Sequence, residues 1–491
     1  MIRRFQSGAI SFGLVLSVAC AKSLDISNPN AASEPQVLTS AAGIQALAVG
    51  MQQNYAVSVL SALILDTGLS SRELAANSTF LGELTLEAGG TSLTGSDADM
   101  ATILGGEMDV MLMAEHLIAD TPQLPFDAGT SAGIVALGHL YKARVIGDLT
   151  VVFQEVPTAT DPNGHALYHS RNDALNAAIA HLDSALVIVT ATPPSALFNS
   201  SIKGSKLDLV NTIYALSARY NLFAGNYQAA ITAANLVNPT VASYLTYDAV
   251  NLNPIYTNAV QTRVYAPRDS LGTPLGTLGD ARLAFFLVGP PAPSNPNKYS
   301  VDHLTGFFST QTSSIPAYVP GEIPLIRAEA NVQLGNLAAA VQDINRVRTK
   351  TAAQDPVGLG ANLPAYSGTV DVPSLLTEIY RQRAAELYLQ ALRLEDERRL
   401  VDGDGGPVRG LLEEACVLAR HVPLGQADGV PLLAPDRILV ARQRYERPLP
   451  FVVLDDQLPH GRSACVRLSK RCGKRRLERL ARQRGGRAPE V

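Results

Sequence analysis

The chain has 491 residues, 40 Lys and Arg against 44 Asp and Glu for a net charge of −4, 17% charged and 46% hydrophobic residues, and no Trp. That length holds one large core or two to three ordinary ones. The balance of charged and apolar residues excludes a disordered chain and argues against a nucleic-acid partner.

The N-terminus reads as an export signal over residues 1–19: Arg3 and Arg4, an apolar run from Phe12 to Ala19, and small Ser17 and Ala19 ahead of Cys20. The run is too short to span a bilayer, which needs ~20 apolar residues, and no later segment is expected to span one. Cys20 is the only cysteine among the first 415 residues and stands where a bacterial lipoprotein signal places its acylated cysteine, although Leu16 falls one place earlier than that signal prefers. Lipidation at Cys20 is the expectation, since two acyl chains hold stably at a membrane. Plain cleavage after Ala19 would instead leave a soluble periplasmic protein. Residues 20–36 are a polar linker to the anchor.

Residues 37–66 carry small and apolar residues at helical spacing, which predicts a long helix, broken near Gly50. Residues 85–105 are rich in Gly, Ser, Thr and Asp, the chemistry of a surface loop. Helices are expected over 107–118 and 131–146, then a turn at Gly147-Asp148-Leu149, an irregular excursion, and a helix from Arg171 to Val187.

The sequence then writes one unit twice. "NLFAGNYQAA" (221–230) and "NVQLGNLAAA" (331–340) share Asn221/Asn331, Gly225/Gly335, Asn226/Asn336, Ala229/Ala339 and Ala230/Ala340 at a constant offset of 110. In each copy an apolar-periodic segment ends at Gly-Asn and a second one follows. Gly ends a helix in the left-handed conformation, and small Ala residues let paired helices approach closely. This predicts tetratricopeptide-like helical hairpins, in a mainly α fold. Adjacent repeats recur every ~34 residues, so an insertion separates the copies.

That insertion, residues 239–320, is rich in Pro and Gly and holds ten of the chain's 28 Tyr and Phe. An irregular, aromatic-rich subdomain on a helical scaffold is the kind of loop on which binding surfaces sit. It is the expected ligand region, with 85–105 as a second loop and Tyr299 and Tyr318 as candidate contacts. Residues 374–400 predict one further amphipathic helix, or two.

From residue 401 the composition changes: 17 Lys and Arg face 11 Asp and Glu, Arg outnumbers Lys fifteen to two, and Cys416, Cys465 and Cys472 enter. This Arg-rich tail, 401–491, has two open readings: a segment for anionic partners, or a frameshifted reading frame, since GC-rich DNA read out of frame encodes Arg, Gly, Pro and Ala.

No catalytic motif survives inspection. "GTSAG" (129–133) matches a nucleophile elbow, but no buried strand precedes Ser131, and Thr130 or Ser131 reads better as a helix N-cap. His165 and His169 have an i, i+4 spacing but no third ligand near them. Glu386, Glu395, Asp396 and Glu397, interleaved with Arg393, Arg398 and Arg399, read as solvated ion pairs. No enzyme activity, metal or cofactor is expected.

Taken together, "LDISNPN" (24–30) after Cys20, "GIQALAVGM" (43–51), "LYKARVIGDLTVVFQEVP" (140–157), "GDARLAFF" (279–286), "EIPLIRAEANVQLGNLAAAVQDINRVRTKT" (322–351) and "EIYRQRAAELYLQALRLEDERR" (378–399) resemble the SusD/RagB-like family of outer-membrane nutrient-binding lipoproteins. Glu386, Leu387, Arg393, Asp396, Arg398 and Arg399 match the family's habitual positions, while Ala391 and Leu394 replace its usual Gly and aromatic. The family's C-terminal segment is not recognisable after about residue 410. The resemblance implies a platform of tetratricopeptide hairpins whose insertions form the ligand face. It also implies a lid on a SusC-like TonB-dependent transporter that receives glycans or other oligomers, and no catalysis. The absence of Trp weakens a polysaccharide ligand, although Tyr and Phe also stack on sugars. The alternative is a periplasmic tetratricopeptide scaffold for protein partners, which a regular repeat array would favour.

Overall fold

A computed structural model describes residues 37–89, 93, 97–160, 165–273, 279–293 and 296–401. The expected export signal, Cys20, its linker and the tail after Val401 lie outside the described residues.

The first long helix is α1 (Ala41–Asn54), which continues through a π-turn (Tyr55–Val59) into α2 (Leu60–Ser70). Gly50 does not break it; the irregularity falls at the π-turn, where Tyr55 turns into the core. Strand β1 (Leu74–Ala76) and the short helix α3 (Leu81–Ala88) follow, then α4 (Ala98–Asp120), begun by Asp97, whose carboxylate accepts from the N–H groups of Asp99 and Met100. The loop expected over 85–105 is therefore helical at both ends, because this aspartate supplies a cap that the Gly and Ser around it obscure.

Helix α5 (Ala128–Val152) is capped by Asp127, not by Thr130 or Ser131. It runs unbroken through Gly147, which the sequence marked as a turn. A Cβ there would stand 2.1 Å from Tyr220 Cζ, so glycine admits a crossing aromatic ring inside a helix. The glycines of "GTSAG" have the same origin: a Cβ at Gly133 would stand 2.4 Å from Phe198 Cγ, and one at Gly129 would stand 2.9 Å from the Pro193 carbonyl. Ser131 lies in the first turn of α5, and no strand leads into it. The excursion is an antiparallel hairpin, β2 (Glu155–Thr160) with β3 (Ala166–Ser170), so His165 and His169 stand on or beside a strand. Helix α6 (Arg171–Ala191) returns along α5.

The repeat is visible atom for atom. Between α7 (Leu209–Phe223) and α8 (Tyr227–Ala234), Gly225 has φ of 78°; between α10 (Glu322–Gln333) and α11 (Leu337–Arg348), Gly335 has φ of 80°. The N–H of Asn226 donates to the Asn221 carbonyl at 2.8 Å, and that of Asn336 to the Asn331 carbonyl at 2.7 Å. Each Asn side chain also donates to the Oδ1 of the earlier Asn at 3.3 Å. These 6→1 bonds are the Schellman closure that a left-handed Gly permits.

Across the insertion, α8 packs directly on α10. Arg219 closes the joint, its Nε and Nη2 donating to both oxygens of Glu322 at 2.7 and 2.6 Å in a buried pair. Helices α4 to α8, α10, α11 and α12 (Val372–Glu386) form a continuous platform in which each packs on the next. The predicted helix over 374–400 is two: Leu389 and Ala391 have φ of 52° and 59° and turn the chain into α13 (Arg393–Val401). Ala391 thus keeps the left-handed backbone that suits the Gly usual in the resembled family.

The stretches 41–70 and 171–191 are long and apolar enough to cross a membrane by length and composition, contrary to the expectation that none would be. In the fold, Ile44, Met51, Leu63 and Ile64 of the first and Leu175 and Leu182 of the second are buried against neighbouring helices.

Glu378, Arg383, Glu386, Arg393, Glu395 and Asp396 of α12 and α13 are buried, and Arg381, Glu397, Arg398 and Arg399 are half-buried, in place of the expected solvated pairs. Arg282, fully enclosed, donates to Asp280 Oδ1 and Oδ2 at 2.9 and 2.7 Å, to Glu386 Oε2 at 2.9 Å and to Gln382 Oε1 at 2.6 Å. Lys350 reaches the other oxygen of Glu386 at 2.6 Å. Arg399 grips Glu329 through two contacts of 3.0 Å and Asp396 at 2.9 Å, while Arg398 donates to Glu395 at 2.6 Å. Charge spacing within one helix reveals the Arg398–Glu395 and Arg399–Asp396 pairs but not the rest, because Glu386 takes Arg282 and Lys350 from 104 and 36 residues away and Arg399 reaches Glu329 70 residues away.

Candidate ligand-binding face

The insertion contributes β4 (Tyr244–Leu245), β5 (Tyr265–Pro267), α9 (Ala281–Phe286), β6 (Ala292–Pro293), β7 (Ser300–Val301) and β8 (Ile315–Pro316). Strand β4 pairs with β8, closing the insertion on itself, and β5 pairs with β1, tying it to the N-terminal part of the chain. The two regions expected to meet a ligand are joined beside this pairing by Glu87, which accepts from Arg268 and Asn297 of the insertion.

At that joint Arg268 is buried. Its Nε donates to the Leu74 carbonyl at 3.1 Å and its Nη2 to Glu87 Oε1 at 3.2 Å, and its guanidinium lies 3.8 Å from the centre of the Tyr299 ring. Asn297 donates to the second oxygen of Glu87. The Tyr299 ring is half-buried, resting against the small cluster of Ala75, Ala266 and Val301. Next to it, the Tyr265 hydroxyl donates to Glu83 Oε1 at 3.4 Å. Helix α3, which carries Glu83 and Glu87, exposes Phe80 and Leu81 at its start, 59% and 79% accessible.

Carboxylates crowd this rim. Asp66 is buried, and its acid strength is weakened to a pKa of about 8, first by burial and then by Asp99, Glu83 and Asp97. Burial, followed by the same kind of neighbours, also pushes up Asp99 and the Tyr265 phenol. Among the described residues no three His, Cys, Asp or Glu are grouped to hold a metal.

Of the candidate contacts, Tyr299 lies on this face. Tyr318 does not: it is 1% accessible, with its hydroxyl donating to the Val241 carbonyl at 3.4 Å, and a ring enclosed in the core offers no surface for stacking. Tyr247, Phe286, Phe307 and Phe308 are buried as Tyr318 is, while Tyr244, Tyr256, Tyr265 and Phe285 are half-buried like Tyr299. Phe285, Phe286 and Phe307 pack edge-to-face with centroids 4.9 to 5.7 Å apart, and Phe286 meets Tyr388 of the platform at 5.2 Å. None of the ten is fully exposed. Glu87, Arg268 and Asn297 carry no signal in the sequence; only the β1–β5 pairing brings them together.

The SusD family model matches residues 296–423, a span that reaches past the point at which the sequence ceased to look familiar. The fold is similar to that of a SusD superfamily protein from Bacteroides vulgatus (13% identity, 84% of this chain and 94% of that one, TM-score 0.58). It is also similar to a SusD-like carbohydrate binding protein from Bacteroides fragilis (11% identity, 74% and 86%, TM-score 0.56). A SusD superfamily protein from Bacteroides thetaiotaomicron shares it as well (15% identity, 77% and 94%, TM-score 0.55). No curated protein matches the chain. Residues 296–423 thus match the SusD family model, and the chain shares the fold of these SusD-like structures across most of its length.

Proposed function

We propose that this protein captures an oligosaccharide, or another oligomeric nutrient, on the face around Tyr299 and passes it to a SusC-like TonB-dependent transporter in the outer membrane. The observation that carries this reading is the contact of Glu87, from the 85–105 region, with Arg268 and Asn297 of the insertion, beside the β1–β5 pairing, which sets a half-exposed Tyr ring next to these groups and a row of carboxylates. An aromatic face with flanking hydrogen-bonding groups suits a sugar, whose C–H face stacks and whose hydroxyls donate to carboxylates. A diacylated Cys20 would hold the protein at the membrane, where capture beside the pore makes delivery effectively intramolecular and modest affinity sufficient. The protein performs no chemistry on its cargo in this reading. The insertion between α8 and α10 interrupts any regular repeat, which disfavours the protein-partner scaffold.

A pull-down from detergent-solubilised outer membrane, with the tagged chain as bait and Cys20→Ala as control, tests the reading. Recovery of a large TonB-dependent barrel by the anchored form supports it. A protein that stays soluble in the periplasm and recovers no barrel refutes it.

A further inference from the structure

The seam between α5 and α6 holds a pair of groups that ligand capture does not use. His139 and His181 face each other from the middles of these two helices, with Nδ1 to Nδ1 at 2.9 Å and ring centroids 5.1 Å apart. Two imidazole nitrogens at that separation need something electrophilic between their lone pairs, and a single shared proton fills the role here. Both rings are half-buried and so within reach of solvent. Lys142 is the charged group that lowers the basicity of both, and Glu115 holds its ammonium at 2.8 Å.

We propose that His139 and His181 form a two-imidazole site for a divalent transition cation such as zinc, nickel or copper, which takes the place of the shared proton. With metal–nitrogen bonds of ~2.0–2.1 Å, two ligands of a tetrahedral ion stand about 3.3 Å apart, so the rings need to separate by only about 0.4 Å. No proton is released: the one on the donor Nδ1 moves to Nε2 of the same ring, and both Nδ1 lone pairs then point at the metal. Burial, assisted by Lys142, lowers both pKa values, that of His181 to about 4, so both rings are neutral and ready to ligate at neutral pH. No third His, Cys, Asp or Glu joins them among the described residues, so water completes the shell. Imidazole selects these ions over magnesium and calcium, which prefer oxygen. The metal would staple two long helices of the platform, α5 and α6.

The test is titration of the full chain with zinc or nickel, followed by calorimetry and by thermal unfolding. One site per chain is expected, with a midpoint that rises with metal concentration and does not respond to calcium. His139→Gln and His181→Gln should each weaken binding roughly tenfold or more. Binding that survives both substitutions belongs to His165, His169 or the cysteines after residue 401 and overturns the proposal. Should the variants fold poorly, the copper(II) spectrum of the unaltered chain decides: two imidazole nitrogens are expected, and one or none refutes the site.

Discussion

The platform and the insertion use opposite chemistry for their interiors. The platform helices hold charges in matched sets, Arg219 with Glu322 and Arg399 with Glu329 and Asp396, and Glu386 of α12 also takes Lys350 and, from the insertion, Arg282 with its partner Asp280. The insertion's own interior is built mainly of rings, Phe286, Phe307 and Phe308 with Phe285 half-buried against them, and its buried charges Asp280 and Arg282 lie at the seam with α12. A buried charge is tolerated only with its partner in place, so the platform is fixed in geometry. The insertion's rim side chains are instead free to answer to a ligand. Substitutions should accordingly cost stability in the platform and affinity at the rim.

Arg282→Ala sharpens that contrast most. It leaves Asp280 and Glu386 buried without their cation and should cost roughly 3–5 kcal/mol in urea unfolding. A loss below 1 kcal/mol would show that water reaches the network.

Asp66 comes next, as the rim's own buried carboxyl. Its folded pKa of about 8 lies above the ordinary 3.8, so its contribution to stability is present below pH 4 and is lost as pH rises toward 8. Asp66→Asn should therefore stabilise the chain by about 1–3 kcal/mol above pH 8 and by little at pH 4. A benefit independent of pH would refute the assignment. The histidine pair has the opposite sign: its lowered pKa values mean stability present above pH 6.5 and lost as pH falls toward 4.

Gly225→Ala and Gly335→Ala test whether the two repeat copies are energetically equivalent. In neither would the new Cβ meet an atom within 4 Å, so the cost is the left-handed backbone alone, about 1 kcal/mol in each. Unequal losses would show that the surrounding helices constrain the two turns differently.

The smallest effect on stability should come from Tyr299→Ala, which removes a half-exposed ring and its contact with Arg268 at a cost of about 0.5–1 kcal/mol.

Much of the platform is legible in the sequence, because a Gly-Asn turn is a local device and the atoms that close it lie within six residues. The hairpins at Gly225 and Gly335 follow from their letters. Gly147 does not, since its reason is Tyr220, 73 residues away, and a glycine that admits a ring reads the same as one that ends a helix. The charges of α12 and α13 mislead for a related reason: i, i+3 and i, i+4 spacing describes a solvated face and a buried network alike. In the insertion the abundance of aromatics was plain, but abundance does not say which way a ring points. Tyr318 faces the core and Tyr299 the rim because β8 is paired inside the insertion while Tyr299 precedes the short β7 beside Arg268.

The central claim is that the Tyr299 rim binds an oligomer. The direct measurement is affinity electrophoresis or calorimetry of the intact chain against a panel of soluble oligosaccharides and peptides, repeated with Tyr299→Ala and with Tyr318→Phe as an interior control. The account predicts a ligand whose binding is lost in Tyr299→Ala and retained in Tyr318→Phe. A ligand that binds both variants as well as the unaltered chain would contradict it.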